Sequence, residues 1–168
     1  MMSGNKAVYF LCHSDVFERP MNLEEKVDRS DYQELIEIWE AAVRATHDFL
    51  KEEDIQYFKP LILEKYFDAV NLSIIKDEDE KILGFSGVAE NNLEMLFIHP
   101  ARFGSGIGSR LLKHAINKFS ITQLDVNEEN VQALNFYTNK GFKVIDRSEK
   151  DPTGKPYPIL HMQLEDAM

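Results

Sequence analysis

Gly104-Ser105-Gly106-Ile107-Gly108 lies between a strand-like run and a strongly amphipathic stretch. Upstream, residues 93–98 are apolar and stop at Pro100. Downstream, Ile107, Leu111, Leu112, Ala115, Ile116 and Phe119 recur at helical spacing. A glycine tract there frees backbone N–H groups to face an anion, and the helix dipole adds to the attraction. Side chains would block the close approach, which accounts for glycine at these positions. The competing reading is that the glycines only permit tight strand–helix packing. The loop lacks a Gly-Lys-Ser/Thr ending, which argues against a triphosphate-hydrolysing P-loop.

A dinucleotide site is an alternative. Asp125 follows about 20 residues on, at the end of the next strand, where a ribose-binding acid would sit. The spacing, however, is G-x-G-x-G, about 100 residues precede the loop, and only one more strand–helix unit follows it.

Charge narrows the partners. The 168 residues carry a formal net charge of −10. That balance argues against a nucleic-acid binder and against docking on anionic membranes. Residues 101–118 oppose the trend, with Arg102, Arg110, Lys113 and Lys118 and no acid. Cys12 is the only cysteine, so no internal disulfide forms and no cysteine metal cluster exists. His13, His99 and His114 have no metal spacing, so no metal is expected. No apolar run approaches the ~20 residues of a membrane span. Residues 7–12 are too short for a signal core. The expectation is a soluble, cytoplasmic protein with a real core, since 43% of residues are hydrophobic.

Strands are expected near residues 7–11, 21–27, 72–75, 82–88, 93–98, 121–126, 142–145 and 159–164. Asp31 is expected to cap a helix carrying Leu35, Ile36, Trp39, Ala42 and Val43, which Thr46-His47-Asp48 ends. A second helical stretch spans residues 55–70, divided at Pro60. Asn130 is expected to cap a short helix, with Gly141 at its C′ position. This order predicts a mixed α/β (α+β) fold around one sheet. Residues 1–20 read as an N-terminal extension of unknown role, and residues 21–168 as a single domain.

Asn130, Ala133, Tyr137, Gly141 and Phe142 form an N-x-x-A-x-x-x-Y-x-x-x-G-F pattern downstream of the glycine loop. With Leu96-Phe-Ile-His-Pro100 and the loop itself, the chain resembles the GNAT superfamily of N-acetyltransferases. Ala45-Thr-His-Asp-Phe-Leu50, Gly141-Phe-Lys-Val144 and Gly154-Lys-Pro-Tyr-Pro158 resemble the YjaB type of bacterial acetyltransferase. The resemblance covers residues 21–164. It implies a GNAT fold, with a central mixed, mostly antiparallel sheet splayed in the middle and flanked by helices. It also implies acetyl-CoA as cosubstrate and a primary amine as acceptor, a small molecule or a protein lysine. The other functional readings are a non-catalytic acyl-CoA-binding module and the dinucleotide-binding domain.

The resemblance assigns coenzyme A to Leu96, Phe97, Ile98, Arg102, Phe103, Gly104, Ser105, Gly106, Ile107, Gly108 and Ser109, and to Asn130, Ala133, Phe136 and Tyr137 across the cleft. The family position usually held by Arg or Gln is Phe103 here, with Arg102 one residue earlier. Acetyl transfer needs a deprotonated amine, an N–H donor for the oxyanion and a proton for the thiolate. The amide of Leu96 or Phe97 is the oxyanion candidate. Tyr137 is the candidate general acid, the alternative being a packed tyrosine. Glu94 is the candidate base, expected on the opposite face of its strand from Leu93 and Met95. The alternative is an ordinary exposed carboxylate. His47, Asp48, Phe49 and Tyr157 are candidate acceptor-binding residues, with His161 in the same hairpin as Tyr157. The alternative for His47 is a helix C-terminal histidine favoured as a cation by the dipole.

Overall fold

The computed structural model describes residues 20–166. Among these residues seven strands form one sheet in the order β1-β2-β3-β4-β5-β7-β6. The strands are β1 (Asn22–Glu24), β2 (Asn71–Lys76), β3 (Ile82–Ala89), β4 (Asn92–Ile98), β5 (Gln123–Asn127), β6 (Phe142–Ser148) and β7 (Ile159–Leu164). Neighbours are antiparallel except β4 and β5. The helices are α1 (Tyr32–Thr46), α2 (Glu52–Leu61), α3 (Ile107–Phe119) and α4 (Val131–Asn139). The expected strand at residues 7–11 lies outside the described residues.

The sheet buries apolar residues on both faces. On one, Leu35, Ile36, Trp39 and Val43 of α1 pack against Ile74, Ile82, Phe85 and Met95. On the other, Ile107 and Leu111 of α3 meet Ile75 and Leu83. Leu112 and Ala115 meet Val88, Leu93, Leu124 and Met162 there. The helical spacing of each stripe explains this arrangement, since residues three and four apart share a helix face.

The decisive departure from regular pairing is in the middle. β4 and β5 pair at Asn92↔Gln123 and Leu93↔Leu124 and nowhere beyond. The two strands then diverge, giving the expected splay. A bulge starts at the same level. Leu93 pairs with Val88 and Met95 with Gly87, so Glu94 is the extra residue of β4. The bulge corrects the simple alternation expected around Glu94. Leu93 packs toward α3, whereas Met95 packs toward α1.

Two local expectations also change. Asp31 does not cap α1 by its side chain; it closes a preceding 3₁₀ turn, Arg29–Asp31, by accepting from the Asp28 N–H at 2.9 Å. Pro60 lies inside α2 rather than between two helices, and the chain widens into a π turn only at Ile62–Tyr66. Proline lacks the N–H for one helical bond and crowds the turn before it, yet the helix continues past Pro60 and the wider turn lies after it. Asn130 does cap α4, accepting from the Ala133 N–H at 3.2 Å. Gly141 follows that helix at φ +95°, as a C′ glycine does.

Candidate active site

A cleft of about 500 Å³ opens where β4 and β5 part. Leu96, Phe97 and Ile98 line it from β4, the 102–109 loop from one side and α4 from the other. The phase of the β3–β4 ladder sets which amides reach it. The His99 N–H bonds the Leu83 carbonyl at 2.9 Å. In an antiparallel ladder bonded and non-bonded pairs alternate. Phe97 is therefore bonded to Phe85, and the Leu96 N–H points away from β3 toward the splay. Of the two amide candidates, only that of Leu96 is free of the sheet.

Gly104 and Gly106 have φ of +79° and +83°, and a Cβ at either would meet nothing within 4 Å. At these two positions the structure speaks against the competing reading of tight strand–helix packing. The left-handed backbone requires glycine, and crowding by the protein does not. That conformation turns the chain directly into α3, whose first N–H groups have no intrahelical partner. The open space over the loop suits a phosphate-bearing ligand. Arg102 and the half-exposed Phe103 line the same space, Arg102 with an ion pair to Asp77 at 3.8 Å.

Gly108, Ser109, Asn130, Ala133, Phe136 and Tyr137 also line the cleft; Ser105 is an exposed loop residue outside the lining. Tyr137 is 9% exposed and packs against Phe136 and Phe142. Burial pushes its phenol pKa well above the ordinary value. Glu94 is exposed, accepts from Asn92 Nδ2 at 2.9 Å and lies outside the cleft lining. Asp48 is likewise exposed and outside it.

His47 lines the cleft at the end of α1. The salt bridge from Arg44 to Glu52 spans the loop that carries it and holds the Glu52 carboxyl down to about 2. The Thr46 hydroxyl donates to the Ala42 carbonyl, so its oxygen accepts from His47 Nδ1–H, each at 2.7 Å. The other ring nitrogen then carries a lone pair, and Asn130 Nδ2 approaches it at 3.4 Å. Burial pulls the imidazole from 6.5 to about 4. The dipole-favoured cation is therefore not what forms here, because desolvation outweighs the helix end. The folded protein binds this proton more weakly than the unfolded chain. Its stabilising contribution is complete above pH 6.5 and is lost as pH falls from 6.5 through 4. At about 1.4 kcal/mol per unit, the loss reaches roughly 3 kcal/mol. Urea unfolding of the wild type and His47→Gln at pH 7 and at pH 4.5 measures it, and the variant should lose less stability on acidification.

Phe49 and Tyr157 meet at 6.2 Å between ring centroids, but in a second cavity of about 450 Å³. Asp125 does not reach the glycine loop. It hydrogen-bonds His161 Nδ1 at 2.6 Å, and Ser148 Oγ lies 2.6 Å from His161 Nε2. The ribose-binding role considered for Asp125 is thereby corrected, since its strand carries it away from the loop. Thr46 and Gln132 line the cleft without having been singled out. Only the Asn130 cap two residues before Gln132 marked that helix end in the sequence.

Residues 40–165 match the model for an acetyltransferase (GNAT) domain. The chain belongs to the GNAT acetyltransferase family. It is 39% identical over 139 residues to peptidyl-lysine N-acetyltransferase YjaB of Salmonella typhimurium, covering 81% of this chain and 95% of that protein. The solution structure of apo-form YjaB from Escherichia coli superposes with a TM-score of 0.79 at 34% identity, over 88% of this chain and 99% of that one. PaiA N-acetyltransferase from Thermoplasma acidophilum, solved with coenzyme A, has a TM-score of 0.66. At 20% identity, over 86% of this chain and 99% of that one, it shares the fold. This GNAT chain is thus an N-acetyltransferase, and its cleft lies at the splay of the sheet. Among the described residues no helix is long and apolar enough to cross a membrane.

Proposed function

We propose that this GNAT enzyme acetylates the ε-amine of peptidyl lysine in the cytoplasm, by direct attack of the amine on acetyl-CoA. The observation that carries the reading is the free Leu96 amide, facing a cleft that the glycine loop and Tyr137 share. Residues 21–168 act as one transferase domain.

The loop amides at residues 104–109 hold the coenzyme A pyrophosphate, with Arg102 beside them. Asn130, Ala133 and Phe136 form the facing wall. The Leu96 N–H stabilises the oxyanion of the tetrahedral intermediate. Tyr137 gives its proton to the departing thiolate. Its buried position keeps the phenol protonated at neutral pH, and the same apolar surroundings raise the proton affinity of a thiolate beside it. The lysine ammonium, with an ordinary pKa near 10.4, must lose a proton before attack. Glu94, outside the cleft lining, receives it through water. His47 is neutral and shapes the acceptor side, where a bound cation would repel the ammonium.

Thiol release measured on a panel of amines tests the reading. Lysine peptides should turn over, and binding of acetyl-CoA without release on any amine would leave only an acyl-CoA-binding module. Thermal stabilisation by NAD but not by acetyl-CoA would overturn the coenzyme A site. The net charge of −10 adds a further expectation. KM for a lysine-rich acceptor should rise with ionic strength, because screening removes long-range attraction. A flat salt response would remove the acidic surface from the account.

A further inference from the structure

The second cavity holds a cation receptor already filled by the chain itself. Asp54, 8% exposed, stands in the first turn of α2. One of its carboxylate oxygens accepts from the Tyr157 hydroxyl. The other is 2.9 Å from Lys155 Nζ. The same ammonium lies 4.5 Å from the centroid of the Tyr57 ring. A carboxylate with an adjacent aromatic face recognises an alkylammonium through a charge-assisted hydrogen bond and a cation–π contact. Glu53, Glu129 and Lys51 line the same cavity, and Tyr57 stands at its edge, 47% exposed and outside the lining.

The two partners differ in what they can do alone. The Lys155 side chain is 28% exposed and reaches water by rotating its stem. The Asp54 side chain is 11% exposed and is fixed by Tyr157, so it needs another cation if Lys155 leaves. The backbone under Lys155 is held independently of the side chain. Asp151 Oδ1 accepts from the N–H groups of Thr153 and Lys155 at 2.9 and 3.0 Å. The cavity also adjoins the cleft. The rings of His47, Phe49 and Tyr157 follow one another at 5.1 and 6.2 Å, and His47 lines the cleft.

We propose that Asp54, Tyr57 and Tyr157 form a subsite for a second alkylammonium on the acceptor, and that Lys155 is its internal occupant, displaced when the acceptor binds. The preferred acceptor is then a peptide whose target lysine has another lysine nearby. The inference rests on the lysine-acceptor reading above. No covalent step is involved. One ammonium replaces another on the same carboxylate.

The test compares a peptide carrying one lysine with a series that moves a second lysine stepwise away from the first. The readout is the ratio of KM values, monocationic over dicationic. Wild-type enzyme should favour one spacing. Lys155→Met keeps the apolar stem and removes the competitor, so the ratio should rise about tenfold, the worth of one charge-assisted hydrogen bond. Lys155→Arg keeps a cation in place and should retain the wild-type ratio. Asp54→Asn should abolish the preference for the dicationic peptide. A ratio unchanged in both Lys155→Met and Asp54→Asn would overturn the proposal, and thermal unfolding of each variant separates this result from loss of fold. Calorimetric titration of the dicationic peptide, with coenzyme A present, reads binding without turnover. Weaker binding by Asp54→Asn supports the subsite even if no lysine is acetylated, which would sink the parent reading instead. Turnover of lysine peptides with no effect of Asp54→Asn on binding does the reverse. A linear diamine in the same titration distinguishes a free polyamine from a polypeptide as the source of the second charge. Tight binding of either supports the subsite.

Discussion

Tyr137→Phe should lower kcat by about a hundredfold or more while KM for acetyl-CoA holds, since general acid catalysis contributes ~10²–10⁴-fold. The substitution is clean for three reasons. The ring contacts with Phe136 and Phe142 are kept. Among the described residues no group hydrogen-bonds the Tyr137 hydroxyl, so its removal leaves no orphaned partner. The cleft wall keeps its shape, so coenzyme A should bind as before. Steady-state thiol release with a lysine peptide gives kcat, and thermal unfolding checks that the fold is intact. An unchanged kcat would return Tyr137 to the role of a packed core residue.

Gly106→Val should raise KM for acetyl-CoA about tenfold or more and lower Tm by several degrees. The cause is conformational. At φ +83° a β-branched residue is strained, at a cost of about 1–3 kcal/mol. No neighbour blocks the new side chain, because a Cβ there meets nothing within 4 Å. The chain relieves the strain by leaving the left-handed region, and that rotates the amides that open α3 away from the cleft. A loss of ~1–3 kcal/mol corresponds to roughly 2–10 °C for a chain of this size. Calorimetric titration with coenzyme A and a thermal scan measure the two parts separately. Affinity retained at wild-type level would show that the loop amides do not hold the ligand.

The parts of the site that lie close together in the chain were legible before folding. The strand, glycine loop and helix at residues 93–119 carry their own periodicities, and the Asn130 cap and Gly141 mark the limits of α4. Glu94 shows where such reading stops. Alternation along β4 placed it opposite both Leu93 and Met95, but the bulge against β3 sends those two residues to different faces of the sheet. A bulge is a property of two strands together, and one strand's pattern does not contain it. His47 is a second instance. Its position at a helix end favours a charged ring, and the burial that makes it neutral comes from packing that includes α4, far along the chain.

The sequence by itself determined the family and marked the glycine loop, Tyr137 and the strand that carries both Leu96 and Phe97, because these follow from local spacing and from a motif carried in order. Tertiary structure alone decided which β4 amide is free, since the phase of the β3–β4 ladder selects Leu96 over Phe97. It alone joined Asp54 to Tyr157 and Lys155, about a hundred residues apart. Neither partner carries a local pattern pointing to the other, and a buried carboxylate acquires its cation only when folding removes it from water.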